Sequence, residues 1–419
     1  MGFKGIIYHT LLLSEMETRP PSKACLGMHG NSNREDKEMV GLNDRLPILD
    51  LSRAYAGIRH EVSEALERVF DSQSFILGRE VRTFEEHVES YLELPEGSAI
   101  GCASGTDALV LALMALDVGP GDEVVTTPYS FFATAGAVVR LGARPVFADI
   151  DPATGNVDLR DAERKITSRT KVFLPVHLFG QTVPLEEITG LCAERGVTVV
   201  EDAAQAFGAC RRVGDRIERA GVMGSLGCYS FFPTKNLGGC GDGGMVVTRD
   251  AERAERLRRL RVHGEGRAYV HEEVGLCSRL DALQAAVLDV KLPHLERWNT
   301  ERRLCADRYR LFFESRGLTG RVTLPHELDG NHHIYHQYVV RVPDRDKMMA
   351  ELEERGLSTR VYYPLPLHLQ PCFASLGGRM GDCPEAERLS REALALPIFP
   401  GLEAEEQERL VEAIAAFLG

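Results

Sequence analysis

The apolar positions change their period along the chain, and those changes mark out its organisation. After Leu46-Pro47-Ile48-Leu49-Asp50, apolar side chains at Ile58, Val62, Ala65, Leu66 and Val69 recur at helical spacing, and a second helix is expected to begin near Thr83. From Ala99 to about Thr248, short β-type runs alternate with helical segments. Strands are predicted at residues 123–127, 145–150, 172–177, 197–201 and 226–232, with a further β-type run at 245–248. Helices are predicted at 108–116, 133–141 and 185–194. Strands apolar on both faces, alternating with helices, predict an α/β domain with a mostly parallel central sheet, its functional groups in loops at the strands' C-terminal ends.

Beyond about residue 292 the pattern changes. A long helix at 295–313, a strand at 335–342, a helix at 346–355 and a closing helix at 403–418 predict a smaller α+β domain. Residues 1–45 carry Pro20-Pro21, scattered glycines and a charged run from Arg34 to Glu38, with no sustained period. They are expected to be a disordered extension, or to precede a true start at Met28 or Met39. The expected organisation is therefore an extension (1–45), a large α/β domain (46–292) and a small α+β domain (293–419). A length of 419 residues fits this, being too great for one ordinary core.

Charge narrows the function classes. Lys plus Arg number 49 against 62 Asp plus Glu, a net charge of -13, which excludes a non-specific grip on nucleic acid and leaves phosphate recognition to a local pocket. The arginine-rich stretch 251–262 could approach a polyphosphate, but it reads better as a solvated helix paired with its own glutamates. Ten cysteines without a CxxC pair or regular spacing form neither a zinc ribbon nor a disulfide framework, and point to a reducing, cytoplasmic compartment. No window approaches the roughly 18 uninterrupted apolar residues of a membrane span. Gly5 to Leu13 is short and broken by His9, so it is not read as a signal peptide.

Three motifs could carry chemistry. Ser104-Gly105-Thr106-Asp107 stands directly before a helix, where small residues, a hydroxyl and the positive helix end suit a phosphate, or where Ser104 is simply an N-cap. Val199 to Gln205 is a strand ending in Asp202, a carboxylate that could hold a cationic ring nitrogen protonated, with Gln205 able to donate to a neighbouring oxygen. The third is Cys228 to Gly244. Its glycines at 239, 241 and 244 match GxGxxG but lead into a β-type run, whereas a dinucleotide fingerprint opens a helix. A P-loop is excluded too, because Lys235 precedes the glycines. What remains is a lysine on a strand-ending loop, with Ser230 five residues before it. A lysine beside a phosphate cup and a carboxylate for a ring nitrogen is the equipment for holding pyridoxal 5'-phosphate as a Schiff base.

The segments Ala103–Leu111, Gly121–Thr134, Pro175–Gln181, Glu201–Gln205, Tyr229–Gly244 and Ser278–Ala286 closely resemble the DegT/StrS family of nucleotide-sugar aminotransferases, of fold type I. The resemblance runs from about Leu46 to the C-terminus. It implies that Lys235 is the covalent anchor of the cofactor and the proton carrier of the amino transfer, and that Asp202 pairs with the pyridinium nitrogen. It further implies that Gln205 contacts the ring hydroxyl oxygen, that Ser104, Gly105, Thr106 and Ser230 hold the phosphate, and that Phe131 stacks on the ring. Such a stack contributes about 0.5–1.5 kcal/mol beyond burial. Phe132 is expected to pack in the core.

One departure stands out. Where the family reads Gly-x-Asn-x-Arg, with the Asn reaching the cofactor phosphate of a neighbouring subunit, this chain has Cys277 and retains Arg279. A thiol is a poor donor to phosphate, so that contact is lost or passes to a group such as Ser278. Arg279 is a candidate for the donor carboxylate or the sugar, or a structural ion pair. His332, His333 and His336 do not suggest a metal, because a strand would not bring three imidazoles round one ion. The resemblance makes His336 a substrate contact, and Tyr362 to Gln370 resembles the loop of members acting at the sugar's third carbon. The expected reaction moves an amino group, from glutamate, to a nucleotide-linked keto-sugar in amino-sugar biosynthesis, within a homodimer. A C-4 or cyclitol aminotransferase, a sugar dehydratase and a non-catalytic regulator are the competing readings. Relatives that dehydrate carry histidine at the lysine place, so Lys235 counts against the dehydratase.

Overall fold

The computed structural model describes residues 45–419, so the extension expected at 1–45 lies, Arg45 apart, outside the described residues. The centre is a sheet of β1 (Ala99–Cys102), β2 (Glu123–Thr126), β3 (Arg144–Phe147), β4 (Thr170–Leu174), β5 (Thr198–Asp202), β8 (Leu226–Ser230) and β9 (Gly244–Val247). A hairpin of β6 (Cys210–Val213) and β7 (Arg216–Arg219) leaves the sheet between β5 and β8. The spatial order is β1-β9-β8-β5-β4-β2-β3, and β9 alone runs against the others.

The period-2 alternation of the strands sends neighbouring side chains into different cores. Ala99, Met245 and Val247 pack with helices Arg79–Leu92 and Ala282–Lys291 on one face. Ile100, Cys102 and Val246 pack with helices Gly105–Met114 and Ala251–Leu260 on the other. This is the α/β sandwich that the alternating pattern predicts. A further core joins helices Leu295–Ser315, Arg345–Glu354 and Ala404–Leu418 to the antiparallel pair Tyr338–Arg341 and Ala393–Leu396. Leu46 is buried in this same core and bridges to Leu357, so the first described residues pack among the C-terminal elements.

Several local expectations shift. The strand expected at 335–342 begins only at Tyr338, because Tyr335 takes a left-handed φ of 44° that ends any extended run. The helix expected at 185–194 is a 3₁₀ turn, Leu185–Glu187, followed by Thr189–Glu194. A short helix, Leu51–Ala56, precedes the one predicted around Ile58, and its N-cap is Asp50, which accepts from Ser52 N–H at 2.9 Å. In the arginine-rich helix the short ion pairs reach other elements, Arg256 to Asp117 and Glu273 at 2.5 and 2.9 Å, whereas Glu255 of the same helix lies 4.0 Å from Arg258 and Arg259. These arginines are tied to carboxylates rather than presented to a polyphosphate. Among the described residues every cysteine is free, and no helix is long and apolar enough to cross a membrane.

Candidate active site

Two strand ends and one helix start converge at the C-terminal edge of the sheet. Helix Gly105–Met114 begins beside the end of β8, so closely that a Cβ on Gly105 would lie 2.5 Å from the Cβ of Ser230. Only glycine allows this approach. The N–H groups of Gly105 and Thr106, in the first turn, have no intrahelical acceptor and face outward with the positive helix end. Ser104 is the N-cap: its hydroxyl accepts from Asp107 N–H at 3.1 Å, the second of the two roles read for this motif. The result is a small anion cradle made of Ser230, Gly105 and Thr106 with Ser104 at its base.

Asp202 ends β5 and is 4% exposed. Its carboxylate accepts from Thr134 Oγ1 at 2.8 Å and Ala204 N–H at 3.2 Å, and the Thr134 hydroxyl is in turn 2.9 Å from Ser130 Oγ. Burial nevertheless pushes the carboxyl above its ordinary range, outweighing these bonds and the attraction of Lys235 and His177. The carboxyl thus sits among neutral hydrogen-bond donors, with Lys235 the first attracting charge. Behind it lies an enclosed pair. His177 Nδ1 accepts from Val183 N–H at 3.0 Å, so Nε2 is the donor to Glu201 at 2.6 Å, and Glu201 also accepts from Gly221 and Gly224 N–H at 2.7 and 2.5 Å.

Lys235 is half-buried on the loop after β8. Desolvation lowers its amine from 10.5 to about 8, with Asp202 the charge that opposes this fall. Its neighbour Asn236 donates to Asn299 Oδ1 at 2.7 Å and presents Oδ1 to His336 Nδ1 at 3.1 Å. His336 thus donates from Nδ1, and burial, Lys235 and Arg302 hold it neutral, leaving Nε2 as an acceptor. The backbone turns sharply beside it: a Cβ on Gly180, at φ 98°, would lie 3.0 Å from His336 N.

Gln205 is spoken for at both ends of its amide, accepting from Phe179 N–H at 2.9 Å and donating to Tyr363 Oη at 3.0 Å. Tyr363 is held by Tyr129, whose hydroxyl accepts Tyr363 N–H at 2.9 Å and donates to Tyr362 O. Phe131 leaves 57% of its surface exposed, so its ring has a free side. Phe132 stacks on Phe373 at 5.2 Å but remains 44% exposed, so it is not the core residue expected.

The Cys277 region takes an unexpected form. Ser278 is fully buried, with its hydroxyl donating to Asp107 at 2.8 Å and accepting from Ala103 N–H at 3.3 Å, all within its own chain. Cys277 is exposed and receives Arg279 Nη2 at 2.9 Å, and Arg279 has no ion pair among the described residues. The three histidines also separate. His332 is in a strand paired to β6, and His333 stacks on Tyr335 at 3.9 Å. Among the described residues no group of His, Cys, Asp and Glu is arranged to hold a metal.

Sequence reasoning missed Thr134, Tyr363, His177 and Glu201 as parts of this site. All four lie inside or beside segments with family resemblance, yet each makes a bond within the site to a partner 20 or more residues away in the chain.

The geometry agrees with what the chain resembles among known proteins. Residues 57–415 match the DegT/DnrJ/EryC1/StrS aminotransferase family. A pleiotropic regulatory protein of Geobacillus stearothermophilus is 50% identical over 373 residues, covering 89% of this chain and 98% of that one. A UDP-N-acetyl-3-dehydro-alpha-D-glucosamine 3-aminotransferase of Acidithiobacillus ferrooxidans is 42% identical over 375 residues, covering 89% and 98%. The crystal structure of S. venezuelae DesV in complex with a ketimine intermediate superposes with a TM-score of 0.85 at 40% identity, covering 89% of this chain and 98% of that one. With a family match across most of its length, an anion cradle, a buried carboxylate and a lysine of lowered pKa at one sheet edge, the chain belongs to the DegT/DnrJ/EryC1/StrS aminotransferase family, whose cofactor is pyridoxal 5'-phosphate.

Proposed function

We propose that this protein transfers an amino group from glutamate to the third carbon of a nucleotide-linked keto-sugar, in the biosynthesis of an amino sugar for a surface polysaccharide or secondary metabolite. The observation that carries the reading is the convergence of Lys235, Asp202 and the Ser230–Gly105–Thr106 cradle, with a neutral His336 close to Lys235. Relatives named as 3-aminotransferases, 42% identical in the case of Acidithiobacillus ferrooxidans, support the position on the sugar. The working form is a cytoplasmic homodimer, with residues 46–292 and 293–419 as its large and small domains.

Bound pyridoxal 5'-phosphate supplies an electron sink for the donor's Cα. The chain's own residues do the rest. Ser230 and the N–H groups of Gly105 and Thr106 bind the phosphate. Asp202, oriented by Thr134, keeps a cation at the ring nitrogen, and Phe131 covers one face. Lys235 anchors the cofactor. With the cofactor bound, its amine would hold and move the proton at the donor's Cα, which a fall to about 8 makes feasible near neutrality. His336, neutral and accepting at Nε2, receives a sugar hydroxyl. Arg279 is free to meet an anionic group of donor or sugar.

The Geobacillus relative's description as a regulatory protein, at 50% identity, favours a second reading in which the fold serves regulation without catalysis. A panel of nucleotide keto-sugars with glutamate, analysed by mass spectrometry, separates the two. An aminated sugar is expected; no amination of any panel member by cofactor-loaded protein favours the regulator. Lys235→Ala should lose the visible absorbance of the covalently held cofactor, and an unchanged spectrum would refute the lysine's role.

A further inference from the structure

Asn236 directly follows Lys235, is half-buried, and bonds to three residues that lie 63 to 100 positions further along the chain. Its Nδ2 donates to Asn299 Oδ1 at 2.7 Å and to the carbonyl of Ile334 at 3.3 Å. A backbone carbonyl can only accept, so Ile334 decides which end of the Asn236 amide carries the hydrogens. The other end, Oδ1, then lies 3.1 Å from His336 Nδ1 and receives the ring proton.

Burial, and then the two cations that act on the imidazole, Lys235 and Arg302, keep His336 neutral. A neutral ring holds one proton, so a proton fixed at Nδ1 leaves Nε2 bare. Among the described residues Nε2 has no bond to protein, and it is open to solvent, unlike the sealed idle nitrogens Asn299 Nδ2 and Arg302 Nε. His336 also lines a cavity of about 130 Å³ with Thr234 and Tyr362. Were the Asn236 amide reversed, its NH2 would meet Nδ1, the ring proton would move to Nε2, and the acceptor would become a donor.

We propose that Asn236 is a specificity-determining positioning residue: by fixing the tautomer of His336 it makes Nε2 an acceptor, which selects a keto-sugar with a free hydroxyl at that place over its deoxy or oxo counterpart. That the hydroxyl belongs to a sugar rests on the transamination reading above. A site built to bond a substrate hydroxyl rejects the analogue lacking it, because its own polar atom is left unpaired. A staple between the lysine loop and the helix Leu295–Ser315 needs only the bonds to Asn299 and Ile334; the oxygen turned on the imidazole is what adds selection.

Nitrogen-15 NMR of histidine side chains distinguishes a protonated from a bare ring nitrogen, and His336→Gln identifies the signals of this ring. The full-length, cofactor-loaded protein should show Nδ1 protonated and Nε2 bare from pH 6 to 9. Asn236→Leu removes the acceptor and should move the proton to Nε2. Asn236→Asp sets a carboxylate against Nδ1 and should protonate both nitrogens towards the lower end of that range. Kinetics then use the sugar that the panel shows to be aminated and a series of its monodeoxy counterparts. The wild type should disfavour one member of the series by about tenfold to a hundredfold in kcat/KM, and Asn236→Leu should abolish that discrimination while the KM for glutamate and the visible absorbance of the cofactor on Lys235 stay unchanged. A protonated Nε2 in the wild type, a ring that neither variant alters, or discrimination that survives in Asn236→Leu would each overturn the assignment. Thermal melting shows whether Asn236→Leu folds; where it does not, the wild-type resonances and Asn236→Asp decide. The expected tautomer change without amination of any sugar would remove the transamination reading and keep the hold of Asn236 on His336. Amination with discrimination unmoved in both variants would do the reverse.

Discussion

An amine that desolvation lowers from 10.5 to about 8, beside a carboxylate that burial raises, gives the site its pH response. The folded value of Lys235 lies below its unfolded one, so the folded chain binds fewer protons between these values. The amine opposes folding fully below about pH 8, and that opposition fades as pH rises towards 10.5. Only the neutral amine attacks an aldehyde. The rate at which cofactor-free protein captures pyridoxal 5'-phosphate, followed by visible absorbance, should therefore climb with pH to a plateau above about 8; a flat profile from pH 6 to 9 would contradict it. Thr134 tests the partner carboxylate. Thr134→Val removes a hydrogen bond to a charged group and should lower kcat/KM by about tenfold to a hundredfold, while Thr134→Ser restores most of it. Lys235 and Asp202 were legible in the sequence because each stands at the end of a recognisable strand. Thr134 and Tyr363 were not, because a threonine on a helix and a tyrosine on a loop acquire meaning only through partners 68 and 158 residues away.

At the scale of elements, the sheet edge shows how local pattern and distant contact divide the work. β1 pairs with β9 on one side, and on the other Ala99 and Gly101 N–H donate to Glu89 and Glu85 at 2.9 and 2.7 Å. These carboxylates on helix Arg79–Leu92 cover a free edge that would otherwise invite pairing. Glu85 also holds the buried Arg261 at 2.6 Å, and Arg261 donates to Gly101 O at 2.9 Å. Removing one member of a buried pair strands the other charge. Glu85→Ala should cost about 3–5 kcal/mol, measurable by urea unfolding, and a loss under 1 kcal/mol would mean that water replaces the carboxylate freely. The amphipathic spacing predicted most of the long helices to within a few residues. It could not indicate that two of their glutamates serve a strand rather than solvent.

For the whole molecule, the exposed apolar residues bear on the proposed homodimer. Tyr269 and Val274 are 94% and 90% exposed in the segment that leads to Cys277, and Phe131 and Phe232 are 57% and 48% exposed near the cradle. The proposed homodimer would cover such positions. Analytical ultracentrifugation should give twice the chain mass of 46.3 kDa, and Val274→Glu should shift the protein towards monomer at low concentration; a monomeric wild type would exclude the dimer. The sequence alone determined the α/β class, most of the order of strands and helices along the chain, and the strand-end and helix-start places of Asp202, Lys235 and Ser104–Thr106, because these follow from short periods and contiguous motifs. Only the tertiary structure decided that β9 is reversed, that Leu46 returns to the C-terminal core, that Ser278 is spent within its own chain and that Arg302 stands buried with an idle N–H. Each of these depends on which distant segments meet, and burial and unpaired donors exist only after they do.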